Sequence, residues 1–386
     1  MPRSIVAPLF STVALPAALA ACGSVEIVPY DTPGATGGGP AVVGTGGSGA
    51  DGEDAFPTGS GGAPPDPVPA PSCTAAECAV SVAAGAPKCA VAASGKVFCW
   101  WGGVMLEERL TGGPVERPGL DDIVAASGLA EQMCFLHATR RVSCQGFSHE
   151  GQLGQAVPVG VSSAEPLMLR DVKDVVQLSS GHHHVCGVRS LGKVICWGGP
   201  SPAPVLGVEG VGQTQAPIAV TGLDDAVQVA ASVDHTCALR ATGEVACWGW
   251  LTTGGEAVTA VKVEGVEGAV EITAGWTHDC ARLASGKVVC WGGDTQGDDG
   301  AREPIHVLGV DDAIQVSAGY NRTCAVRQGG RLVCWDASST ATPQEIDTGE
   351  VVHVSVGYDE TCAALASGEI ACWSWRDGGD VRVFGL

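Results

Sequence analysis

The chain has 386 residues and carries 42 acidic against 21 basic side chains, a formal charge of -21. Contact with a phosphate backbone needs clustered Lys and Arg, and no such cluster occurs, which argues against a nucleic-acid partner. Seventeen cysteines point to an oxidising compartment.

Residues 1–21 read as an export signal: Arg3 is followed by an apolar run from Ile5 to Ala20 that is short and interrupted by proline. Leu19-Ala20-Ala21-Cys22 resembles the lipobox of bacterial lipoproteins, which implies cleavage before Cys22 and lipid on its thiol. One lipidated cysteine leaves sixteen, an even number for pairing. Residues 22–72, with runs such as GATGGGP and GGAPPDPVPAP, cannot bury a core and read as a disordered tether that stiffens toward its proline-rich end. The expected location is the cell envelope, at the outer membrane or cell surface, with a lipid as the sole membrane contact. Cys73 and Cys78 (CTAAEC) are expected to form a local disulfide at the start of the folded part, since their spacing is not that of a redox motif.

From 73 to 386 one pattern recurs, a pair of cysteines ten positions apart. The pairs are Cys89 and Cys99, Cys134 and Cys144, Cys186 and Cys196, Cys237 and Cys247, Cys280 and Cys290, Cys324 and Cys334, and Cys362 and Cys372. Six copies carry glycine six residues after the first cysteine, and the second has Arg140 there; the residue eight positions on is always aliphatic. A three-residue loop closed by a left-handed glycine sets Cys89 opposite Cys99 on a non-hydrogen-bonded rung, close enough for a disulfide. The spacing therefore predicts seven β-hairpins, each with a cross-strand disulfide. Both hairpin faces are apolar, so each copy needs a neighbour on either side, and a ring of such copies is a propeller. Another strand precedes each hairpin, for instance Val175 to Ser180, Ala226 to Ala231, Ala269 to Ala274, Ala313 to Ala318 and Val351 to Val356. A further extended piece such as Ala216 to Leu223 follows, giving four strands per blade.

The stretches AASVDHTCALRATGEVACWG at 230–249, AGWTHDCARLASGKVVCWGGDTQGDDG at 274–300 and GFSHEGQLG at 146–154 resemble the repeat of the regulator of chromosome condensation family. The resemblance covers nearly all of 79–386 and implies an all-β, seven-bladed propeller. That family's best-known member binds chromatin and promotes nucleotide exchange on a small GTPase; the export signal and the acidity predict neither role here. Asp380 to Leu386 matches the strand that elsewhere leads into the next repeat, and an AVQVAA-like continuation stands at Ala79 to Gly85. The C-terminal strand is therefore expected to complete the blade begun near Cys78 and so close the ring, covering its edges.

Four groups of side chains invite a functional reading. His182, His183 and His184 suggest a metal, but in a strand only His182 and His184 share a face, and His184 has repeat equivalents at His235 and His278, so no metal or other cofactor is expected. Asp121-Asp122, Asp224-Asp225, Asp311-Asp312 and the loop from Asp294 to Asp299 are candidates for calcium or paired carboxylates, yet they read more simply as turns. Trp100, Trp197, Trp248, Trp291, Trp335 and Trp373 follow the second cysteines and read as packing. Trp276, Tyr320 and Tyr358, with His182 at the same offset four residues before the first cysteine, are the candidate binding residues, expected around one rim of the ring. No catalytic residue is predicted, because no nucleophile elbow, metalloprotease helix motif or free cysteine is present. The expectation is a monomeric, non-catalytic envelope lipoprotein that binds another protein or a surface polymer. A proteinaceous enzyme inhibitor acting through its rim, and an envelope hydrolase or lyase with a site in the central channel, are the alternatives.

Overall fold

A computed structural model describes residues 77–100, 113–129, 131–154, 157–199, 204–292, 303–337, 342–374 and 380–386. The signal, Cys22, the tether, Cys73 and the loop 294–299 lie outside the described residues.

Each hairpin forms as the cysteine spacing predicts. Cys89 is disulfide-bonded to Cys99, Cys134 to Cys144, Cys186 to Cys196, Cys237 to Cys247, Cys280 to Cys290, Cys324 to Cys334 and Cys362 to Cys372. Their Cα–Cα distances are 4.0 to 4.1 Å. That is the close approach of a non-hydrogen-bonded antiparallel rung. In the third copy, Cys186 faces Cys196 and Val188 faces Val194, and the loop is closed by Gly192 at φ 79°. A Cβ there would stand 2.6 Å from the carbonyl oxygen of Asp224, so the position needs glycine for space as well as for conformation. The second copy keeps the same turn with Arg140 at φ 61°.

Among the described residues, 28 strands form seven antiparallel sheets of four, and each sheet consists of strands consecutive in the chain. The blades span 79–116, 123–168, 175–219, 226–262, 269–306, 313–346 and 351–384. The first strands run Val175–Ser180, Ala226–Ala231, Ala269–Ala274, Ala313–Ala318 and Val351–Val356, as read from the sequence.

Apolar packing joins the blades in a ring. The Cys186–Cys196 bridge, Val188 and Val194 of the third blade pack with Ala238 and Trp248 of the fourth. The tryptophans after the second cysteines are buried, and the indole N–H of Trp248 donates to the carbonyl of Val205 at 2.8 Å, that of Trp197 to Gln152 at 2.8 Å. Side chains of the first strands also bridge blades: Gln177 Nε2 donates to the carbonyl of Val229 while its Oε1 accepts the Val229 N–H. Gln228 treats Ile272 in the same way, and Gln315 treats Val354. This amide ladder satisfies backbone groups that an isolated sheet edge would leave open.

Ring closure differs from the expectation. The C-terminal strand, Arg382–Phe384, is the fourth strand of the seventh blade and pairs with Ile370–Ser374, so it does not enter the blade begun near Cys78. Among the described residues every repeat supplies its own four strands in order, and none is left over to cross the seam. The first and last blades are instead joined by packing and polar contacts. Phe384 lies 6.5 Å from Trp100 between ring centroids, Ala84 N donates to Ser355 Oγ at 3.0 Å, and Lys88 pairs with Glu360 at 2.6 Å.

Candidate functional site

His184, which opens the second strand of its blade, faces Gly198 at the end of the third. The turn 181–183 and the loop that leaves after Gly198 therefore share one face of the ring. The glycine-closed hairpin loops and the paired-aspartate turns lie on the other, where Ile123 N donates to the carbonyl of Gly95.

The turns between first and second strands ring the inner edge of the first face, and their backbones are tied together. His182 N donates to the carbonyl of Ser232 at 3.0 Å, Trp276 N to that of Gly319 at 3.0 Å, and Tyr320 N to that of Gly357 at 3.4 Å. A Cβ at Gly275 would collide with the carbonyl of Gly319, so glycine is required immediately before the tryptophan. This tight lacing brings the four candidate side chains together in one cluster, where the sequence suggested a rim. Trp276 and Tyr320 are 4.9 Å apart at 81°, Tyr320 and Tyr358 4.5 Å, Trp276 and Tyr358 5.6 Å, and His182 lies 6.3 Å from Trp276. Residues from the third, fifth, sixth and seventh blades touch only because their turns converge on the ring axis. Trp276 remains 38% and Tyr358 42% exposed.

The histidine run is divided by the fold. His182 and His183 belong to the turn, with ring nitrogens 2.9 Å apart, whereas His184 points between blades, its Nε2 2.6 Å from Thr236 Oγ1. The strand reading that put His182 and His184 on one face is thus corrected: the turn ends before His184. Burial, with mutual repulsion, lowers the pKa of His182, partly offset by Asp234 and Glu131; burial also lowers that of His183. Both imidazoles are neutral at neutral pH.

His184 belongs to a belt of contacts that link five of the seven neighbouring pairs of blades. His235 Nε2 meets Asp279 Oδ1 at 2.7 Å, His278 Nε2 meets Thr323 Oγ1 at 2.7 Å, Gln132 Nε2 donates to the carbonyl of Gly181 at 2.6 Å, and Lys88–Glu360 occupies the same register at the seam. Burial lowers the pKa of His184 to about 3 and of His278 to about 4. His235, Cys237 and Asp279 lie together, but the Cys237 sulfur is bonded to Cys247, which removes it as a metal ligand.

The acidic turns are engaged locally. Asp225 accepts from Arg240 Nε at 2.9 Å, Asp312 from Arg327 Nε at 2.5 Å, and Asp122 Oδ1 lies 2.6 Å from His137 Nδ1. His137 Nε2 in turn meets Ser143 Oγ at 2.8 Å, the connectivity of a hydrolase triad. Ser143 is only 2% exposed within a strand, so no substrate carbonyl reaches its hydroxyl in this conformation.

One feature of the mouth escaped sequence reading. One residue beyond the aromatic offset stand the carboxylates Glu131, Asp234 and Asp359, and the first two act electrostatically on His182 at the edge of the cluster. The signal was present in the same repeat register, but only the converging turns give it meaning.

A model of the regulator of chromosome condensation (RCC1) repeat matches residues 226–250 and 313–335. The probable E3 ubiquitin-protein ligase HERC6 of Homo sapiens is 30% identical over 159 residues, which are 39% of this chain and 15% of that protein's length. Yeast RCC1 (Prp20), solved with Kap60 bound, superimposes with a TM-score of 0.62 at 17% identity over 72% of this chain and 78% of that one. The Saccharomyces cerevisiae Prp20p structure, described with its binding properties to Gsp1p and histones, gives a TM-score of 0.62 at 18% identity over 78% and 83% of the two chains. These likenesses and the seven blades make the fold an RCC1-like β-propeller.

Proposed function

We propose that this RCC1-like propeller is a non-catalytic binding module that holds a protein partner at its aromatic mouth. The observation that carries the reading is the convergence of Trp276, Tyr320, Tyr358 and His182 on one another, with the first and third still substantially exposed. Large aromatic side chains held rigidly at a surface lose little conformational entropy on binding and form the energetic centre of many interfaces. The fold is in keeping with this, since the yeast propeller it resembles is described with protein partners.

The proposal extends to display: a lipid on Cys22 and the tether 22–72 hold the module at the cell envelope. Metabolic labelling with palmitate that survives Cys22→Ser would overturn the anchor.

Binding is tested by capture from envelope extract with the oxidised full chain beside Trp276→Ala/Tyr320→Ala/Tyr358→Ala. A partner retained by the wild type and lost by an equally folded variant supports the mouth as the binding surface. Equal retention by both removes it.

A further inference from the structure

We infer that the mouth receives a basic side chain, an arginine or lysine presented by the partner protein, seated against the exposed ring faces of Trp276 and Tyr358. The inference rests on the binding reading above and adds the chemistry of what is bound.

Two features of the mouth select for a cation. One is the aromatic cluster, whose ring faces carry the negative end of the π quadrupole and attract a positive group within about 6 Å. The other is set by the neighbouring position of each turn. Over the seven turns, the positions four and three residues before the first cysteine hold three carboxylates, Glu131, Asp234 and Asp359, and no Lys or Arg. Asp234 and Glu131 both act on His182 at the edge of the cluster. The cations next in register are already engaged, Lys88 by Glu360 and Arg322 by Asp336 at 3.1 Å. His149 pairs with Glu131 at 3.9 Å. The chain as a whole, at -21, adds long-range attraction in the same sense. An anionic or purely apolar ligand would meet this field without compensation, and an acidic peptide would be repelled.

The proposal separates cation–π contact from simple attraction to an acidic protein. The probe is a fluorescein-labelled Gly-Arg repeat octapeptide, measured by anisotropy against the full chain at 150 mM salt, beside Gly-Ser and Gly-Glu repeats of equal length. The wild type is expected to bind the Gly-Arg peptide and neither of the others. Trp276→Leu keeps the charge and the apolar bulk but removes the largest ring, and should weaken binding about five- to thirtyfold. Asp234→Asn should weaken it by a smaller, salt-dependent factor. Trp250→Leu, which alters an exposed tryptophan outside the cluster, should leave it unchanged.

Equal binding by Trp276→Leu would mean charge alone holds the peptide, and equal binding of Gly-Ser would mean charge plays no part; either overturns the inference. Absence of Gly-Arg binding overturns it too. If capture of a partner nevertheless depends on the aromatic residues, the mouth stands and only the ligand class fails. If neither assay responds to their loss, both readings fail together.

Discussion

Mild acid should loosen the ring through two buried histidines. In the folded chain His184 titrates at about 3 and His278 at about 4, because burial strips water from the imidazolium form. His235 and His183 add to this for His184. For His278, Asp279 pulls the other way and His235 adds to the lowering. In the unfolded chain both return to about 6.5. Below that pH the unfolded state binds protons that the folded state does not, so stability present above about pH 6.5 is lost as pH falls toward the folded values. The loss approaches about 1.4 kcal/mol per pH unit for each histidine, or about 4 kcal/mol for the two together at pH 5.

Carboxylates elsewhere in so acidic a chain also titrate, and a difference measurement cancels them. His184→Gln/His278→Gln retains a side-chain N–H donor for Thr236 and Thr323 but cannot titrate. Guanidinium unfolding of the oxidised chain, followed by tryptophan fluorescence at pH 7, 6 and 5, should show the wild type more stable at pH 7. Its advantage should shrink by about 4 kcal/mol at pH 5. Parallel stability–pH curves for the two proteins would refute the reasoning, since they would mean that neither histidine is held neutral by the fold.

Removing one hairpin bridge, as in Cys186→Ala/Cys196→Ala, should cost about 2 to 3 kcal/mol by chain-entropy reasoning for so short a loop, read as a lower guanidinium midpoint. Because Cys186 and Cys196 are fully buried, a reducing agent without denaturant should leave this bridge intact over the time in which an unfolded chain is fully reduced, as thiol counting will show. At the seam, Lys88→Met leaves Glu360, whose side chain is only 18% exposed, with the longer contact to Arg382 at 4.0 Å, and a loss of about 2 kcal/mol is expected. Lys88→Met/Glu360→Leu should recover much of that loss, and a double variant no better than the single one would show that the pair is not what closes the ring.

Much of the fold is legible in the chain because its information is local. A ten-residue cysteine spacing with a turn residue between fixes a hairpin register, and the register fixes which side chains face the disulfide. The span Ala226–Ala231 is readable for the same reason: AVQVAA ends at a small-residue turn five positions before Cys237. The aromatic offset at Trp276, Tyr320 and Tyr358 is equally visible as a repeat feature. His182-His183-His184 misleads because strand periodicity is applied across a turn whose last residue is His183. The C-terminal strand misleads because its likeness to other fourth strands cannot say which third strand it joins.

The sequence by itself determines seven disulfide-braced hairpins, their flanking strands and the need of each to be covered on both faces. It places an aromatic residue in three turns and a carboxylate in three. Only the closed ring decides that Trp276 meets Tyr358 across an intervening blade, that Asp122 is consumed by His137 while Asp234 stands beside the aromatic cluster, and that Lys88 finds Glu360. Those meetings depend on how successive blades are rotated about a common axis, a quantity summed over every inter-blade contact. Hydrogen bonds and side-chain alternation along one strand leave it open.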